Sequence, residues 1–504
     1  PEGLQALEDR LFADEPPPAD SLRPLTRRQL ARFGHLRRRL DTWQPQPAEL
    51  FDAARLGLVR TFALGLTGGD SPAAGRALDE ARIALASIGQ FAADVFSFYK
   101  HERKSTFLFL KKKKELDAHF KAADGLLAAA TFADLDRLRL LRDHIDPLYS
   151  GLLDVQLALG LETARERSAR LPWPWNPESR SLFAADFLDA TWYLQEAYSD
   201  SVAALGRTLF YESALSEDGT LSCASCHDPA NAFADGRPTS RGRSPLPRNS
   251  PTLLHAVYAP RYFYDLRASR LEDQVDHVVA SEAEFATDYL RVAARLAATG
   301  DYLARFGRAF PQQAAQPISR TTVTAALAAY VARLQSHHSA FDRYARRESD
   351  TLDADARAGF NLFMGKAQCG TCHFAPVFNG SVPPRYDEIE SEVIGTPDRP
   401  TREGARLSPD PGRYAGREKE RLGFYRHSFR TPTVRNSAVT APYLHNGVFA
   451  TLDEVIDFYD AGGGAGWGLE VPHQTLPPES LCLSADERRQ LVAFLASLTD
   501  PAAR

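Results

Sequence analysis

One short string occurs twice and constrains this chain more than anything else in it. Cys-x-x-Cys-His appears as "SCASCH" at residues 222–227 and again inside "AQCGTCHFAP" at 367–376. Two thiols at that spacing, followed by a histidine, can be half of a zinc site, a redox pair or the attachment point of a c-type haem. Zinc ribbons separate their cysteine pairs by about 15–20 residues, whereas 142 residues lie between Cys226 and Cys369. A thioredoxin-like pair sits at a strand-to-helix turn, and nothing near either string alternates like a strand. A histidine directly after the second cysteine is the haem signature. Cys223 and Cys226 would then attach one haem, and Cys369 and Cys372 a second. His227 and His373 are the expected proximal iron ligands.

Of the five cysteines, Cys482 stands outside the pairs. It precedes a helix that Ser484 and Glu487 should cap, and it reads as a packed small hydrophobe. The net charge of −5 gives no general case for nucleic acid or an anionic membrane as partner. No run of about 18 apolar residues marks a membrane span. The chain starts at Pro1 without a charged-then-apolar leader, so a leader or anchor would belong to a removed segment.

The first 175 residues carry no haem string and read as helices. "DEARIALASIGQFAADVFSFY" has apolar residues at helical spacing from Ile83 to Phe98. A second helical pattern breaks at Pro147. "KKKK" at 111–114 reads as a solvated helix face. "RLPWPWNPESRS" reads as a linker. A first haem-bearing region should follow to about 345 and a second to the end. "TTVTAALAAYVARL" is an expected helix, 380–425 an expected surface loop, and no strong strand pattern appears. The fold class is therefore mainly α.

Several ordered motifs between residues 178 and 500 resemble the bacterial di-haem cytochrome c peroxidase superfamily, including its MauG-type branch from methylamine utilisation. They are "LGRTLFYESALSEDGTLSCASCHDPANAFADG", "PRNSPTLLHAVYAPRYFYDLRASRLEDQ", "FMGKAQCGTCHFAP" and "FRTPTVRNSAVTAPYLHNGVFATLDEVIDFYDAGGG". The resemblance implies two cytochrome c-like haem domains preceded by a helical extension found in some members only. It implies a calcium ion between the haems, held by the Asn249 side chain and the Thr440 and Pro442 carbonyls; oxygen ligands suit calcium. It places Gln274 and Glu284 on the distal side of the first, peroxide-handling haem, where a carboxylate can move a proton between peroxide oxygens. A family proline four residues after the glutamine is Val278 here.

Three departures refine the reading. The family's cytochrome c peroxidases proper put a methionine over the second haem; the matching position is Tyr459. The single methionine, Met364, lies on the approach to its own haem string, where packing is its expected role. Those peroxidases also use a displaceable histidine from the loop after the first haem string, and no histidine lies between Asp228 and Leu254. Within the resemblance both differences point to the MauG-type branch; a phenolate would stabilise oxidised iron, the opposite of a thioether. The third departure is Tyr264, where the family usually has a tryptophan between its haems.

The expected protein is a periplasmic or secreted enzyme with two covalent haems c and a calcium ion. It would reduce hydrogen peroxide at the first haem and relay oxidising equivalents through the second to a protein or redox partner. The alternatives are a peroxidase fed by a small cytochrome or cupredoxin, and a non-catalytic di-haem carrier or sensor.

Overall fold

The structure, a computed structural model, describes residues 7, 10–12, 17–99 and 107–501. It is mainly helical and forms two compact units. The first comprises Pro1–Arg170, Pro177–Leu182 and Asn361–Thr371. Its longer helices are Ala19–Thr42, Pro47–Ala63, Ala77–Tyr99, Phe107–Ala129 and Asp146–Ala158. In the third of these, Leu85 and Ile88 are buried while Ile83 and Phe98 are exposed. The buried stripe is thus narrower than the apolar pattern. The chain stays helical through Pro147: Asp146–Ala158 continues directly from a π-helical turn, Leu141–Ile145, so the expected break is instead an irregular turn next to the residue that lacks a helical donor. Three of the four lysines pair with carboxylates, Lys111 with Glu115, Lys112 with Asp154 at 3.0 Å and Lys113 with Asp117, as a solvated helix face does.

Two arginines are fully buried in this unit. Arg55 donates to the Tyr149, Pro177 and Ser179 carbonyls. Arg137 donates to those of Leu66, Phe132 and Leu135. Carbonyl dipoles replace the water each guanidinium gives up, yet burial still lowers Arg137 to about 10. Beside it the Leu138 amide donates to Asn361 Oδ1 at 3.1 Å. The unit therefore takes in the stretch leading to the second haem string, a contact no local pattern announces.

The second unit comprises Leu171–Asn176, Phe183–Phe360 and Cys372–Arg504. The same helix crossing occurs in it twice. A Cβ at Gly206, in the helix Asp200–Phe210, would lie 1.8 Å from the Ala326 carbonyl oxygen and 3.0 Å from Tyr330 Cβ, in the helix Arg320–Val331. A Cβ at Gly359 would lie 1.9 Å from the Gln490 carbonyl oxygen and 2.8 Å from Phe494 Cβ. Two helix pairs of this unit thus approach at backbone distance. Gly206→Ala and Gly359→Ala should each cost about 3 kcal/mol, the upper range for overpacking, read as a drop in the thermal unfolding midpoint. Unchanged midpoints would mean that the helices separate without cost.

Ser199, Ser319 and Ser484 cap their helices, Ser484 with Glu487 in the expected reciprocal pair. Cys482 departs from expectation. It is exposed, and its φ of 53° sets it in a left-handed turn before the helix, so it packs against no core. The 380–425 loop also differs in part: Ser381, Tyr386, Val393 and Thr396 are buried, because Ser391–Glu392 pairs antiparallel with Phe429–Arg430. Among the described residues this is the only sheet, and no helix is long and apolar enough to cross a membrane.

Candidate haem and peroxide sites

Both haem strings fold alike. Cys223–Ser225 and Cys369–Thr371 are single 3₁₀ turns. His227 Nδ1 lies 3.2 Å from the Phe233 carbonyl. His373 Nδ1 lies 3.3 Å from the Phe378 carbonyl and 3.0 Å from that of Pro432. A carbonyl can only accept, so Nδ1 carries the proton in each ring and Nε2 keeps its lone pair. That is the tautomer an iron ligand needs, fixed by its outer partner. Burial holds both rings neutral, His373 down to about 4. Burial also pushes the Cys223 and Cys369 thiols up to about 12. Among the described residues no three His, Cys, Asp or Glu side chains form a metal-holding group.

The loops after the strings repeat one another. Thr252 Oγ1 donates to the Ala232 carbonyl, the residue before Phe233, and accepts from the Leu254 amide. Thr433 Oγ1 donates to the Val377 carbonyl, the residue before Phe378, and accepts from the Arg435 amide. Each threonine fixes the carbonyl loop that aims its histidine. The second loop has a further brace. Arg435 donates to the Pro376 carbonyl at 2.8 Å and to both oxygens of Asp342 at 2.8 and 2.9 Å. That pair is fully buried, and the guanidinium helps hold the Asp342 carboxyl down at about 2 against desolvation. None of these four residues was singled out from the sequence. The duplication of "RNSPTLLHAVYAPRYFYDLRA" in "FRTPTVRNSAVTAPYLHNGVFA" would have found the threonines.

The two residues expected on the distal side, Gln274 and Glu284, lie on the helix Leu271–Ala280 and in the turn after it. Glu284 stands in the wall of a cavity of about 690 Å³, together with Arg267, Asp273, His277, Ser281 and Arg417. Burial raises its carboxyl above the ordinary range, opposed by Ser281 and Arg267. Its charge is felt, weakly, at Cys223 and Cys226. Gln274 is half-buried on the same helix but is not part of the cavity wall. Val278 packs with Cys223 against the core of this region.

Tyr264 donates its hydroxyl proton to Asn249 Oδ1 at 2.6 Å. Asn249 in turn donates Nδ2 to the Pro442 and Leu444 carbonyls, at 3.3 and 2.9 Å, and its amide to His445. Asn249 therefore meets the Pro442 carbonyl, two residues after Thr440. An amide that presented its oxygen instead would face carbonyls with a hard-cation donor set. Tyr459 is half-buried in the last turn of Leu452–Asp460, beside the Phe458 ring at 5.9 Å. Met364 is fully buried, its sulfur 2.8 Å from where a Gly370 Cβ would stand, so it packs. Buried donors at Arg413 Nε, Arg430 Nε and Thr431 Oγ1 have no partner. Unpaired buried donors are costly, and carboxylate-bearing groups such as haem propionates would satisfy them.

Comparison with known proteins agrees with this geometry. The family described as di-haem cytochrome c peroxidase matches residues 200–350. The methylamine utilization protein MauG of Methylorubrum extorquens is 34% identical over 303 residues, covering 60% of this chain and 79% of that protein. The cytochrome-c peroxidase IdrP1 of Denitromonas iodatirespirans is 33% identical, covering 60% and 83%. A crystal structure of a MauG-like protein associated with microbial copper homeostasis superposes with a TM-score of 0.52 at 32% identity, covering 60% of this chain and 91% of that one. The matched share leaves the helical N-terminal region uncovered. With two haem strings folded alike and relatives matched over most of their length, the chain belongs to the di-haem cytochrome c peroxidase/MauG family and is a peroxidase.

Proposed function

We propose that peroxide is handled on the His227 side and that oxidising equivalents pass by way of the His373 side to a protein or redox partner. The haems, when bound through Cys223, Cys226, Cys369 and Cys372, supply the redox-active irons. Glu284 in the wall of the 690 Å³ cavity is the observation that carries this reading. Its raised pKa suits a group that takes the proton from one peroxide oxygen and returns it to the other. Gln274 would orient the bound peroxide.

Tyr459 would supply a further protein ligand to the iron that His373 holds, and Tyr264 would be an aromatic relay between the two regions. Asn249, Thr440 and Pro442 would hold calcium; Tyr264 then shares Asn249 with the ion, which ties the relay to the site. We assign residues 1–175 to the helical extension, 176–345 to the peroxide-binding region and 346–504 to the electron-transfer region. The family's members are periplasmic bacterial peroxidases, and attachment of haem to Cys-x-x-Cys-His outside the cytoplasm argues for the same compartment here.

Intact mass tests the cofactor assignment. The protein should exceed its polypeptide mass by two haems that survive acid–acetone extraction. Cys226→Ala and Cys372→Ala should each lose or loosen one. A haem-free protein carrying zinc would refute it.

A further inference from the structure

The helix Ala19–Thr42, outside every motif used so far, has an exposed apolar stripe. Only Leu22 and Leu25 are buried in it. Further along, Leu30, Phe33, Leu36, Leu40 and the capping Trp43 are 65, 64, 50, 50 and 49% exposed. At about 100° per residue, all seven fall within one arc of roughly 140°. The stripe therefore starts in the core and runs out of it for about 20 Å.

The rest of the helix surface is cationic. Seven arginines and two aspartates give the helix a local charge of +5 in a chain of net −5. Arg27, Arg28, Arg38 and Arg39 occupy the side away from the stripe, Arg23 and Arg32 border it on its two margins, and Arg37 falls within its arc. A helix with a wide apolar arc, an arginine-rich opposite face and low net hydrophobicity lies in a membrane interface rather than across it. Arginine stems bury alongside the apolar residues while their heads stay at the phosphate level.

We propose that Ala19–Thr42 is an interfacial helix that docks the enzyme on an anionic lipid surface. The charge selects this occupant. Pairing the stripe with a second copy would bring two such arginine sets together, whereas anionic headgroups neutralise them on both margins of the stripe. The net negative charge of the chain does not oppose this, because screening limits each surface charge to about 10 Å and the cations are concentrated on one element. The inference is independent of the haem chemistry.

Co-sedimentation of the full-length di-haem protein with vesicles is the test. The protein should pellet with vesicles of phosphatidylcholine and phosphatidylglycerol in equal parts, stay in solution with phosphatidylcholine alone, and be released by salt. Arg27→Gln/Arg28→Gln/Arg38→Gln/Arg39→Gln should weaken binding about 10²-fold or more. Leu30→Glu/Phe33→Glu/Leu40→Glu should abolish it. Both variants change exposed positions and should keep the parent haem spectrum and peroxide turnover. No binding to anionic vesicles, or equal binding to pure phosphatidylcholine, overturns the proposal. So does a concentration-dependent dimer, abolished by the Leu30/Phe33/Leu40 variant, in a protein that ignores vesicles.

Discussion

Glu284→Gln should leave both haems attached and slow the reaction with peroxide by about 10²–10⁴-fold, the usual worth of positioned acid–base help. The substitution keeps the side chain's size and removes only its ability to accept a proton. The pH profile separates this role from a structural one. Burial raises the Glu284 pKa, and the carboxylate is the form that accepts the first proton. The rate should therefore fall as pH drops through that raised pKa and level off above it. In Glu284→Gln this acid limb should vanish while the haem spectrum stays as in the parent. Equal rates in the two proteins, or an unchanged acid limb, would return Glu284 to being a cavity-wall charge.

Tyr459→Phe should give the second-largest effect. Phenylalanine fills the same half-buried space against Phe458 but offers no oxygen. A phenolate favours oxidised iron, so its loss should raise the potential of one haem by about 0.1 V or more, within the roughly 0.8 V range that axial ligands command. The same haem should change its ferric absorption and paramagnetic resonance signals. Thr451 and Glu454 cap the Leu452–Asp460 helix and are untouched by the change, so the fold should survive. Spectra and potentials identical to the parent would remove Tyr459 from the ligand set.

The haem strings were legible because covalent attachment is a local demand: five consecutive residues state it. Helix caps such as Ser484 with Glu487 were legible for the same reason. What escaped the sequence depends on distance along the chain. Thr252 follows His227 by 25 positions, but Thr433 follows His373 by 60, because an insertion separates the second string from its bracing loop and hides the repeat. That insertion read as surface from its Pro, Gly and charge, yet Tyr386 and Val393 are buried within it. Cys482 read as packed because cysteine is usually buried, and only the backbone turn at φ 53° shows otherwise. The Arg435–Asp342 brace joins residues 93 apart, beyond any periodicity. The stripe on Ala19–Thr42 was not singled out from the sequence, and most of it has no core to meet.

The central claim is that the first haem side is open in the resting, fully oxidised enzyme. Two observations support it: no histidine lies between Asp228 and Leu254 to cover it, and the cavity at Glu284 gives peroxide room. Stopped-flow mixing of fully oxidised enzyme with stoichiometric peroxide tests this most directly. A rapid change in the Soret band without any reductant is the expected result. No change until one haem has been reduced would contradict the account and place this enzyme with the relatives that need reductive activation.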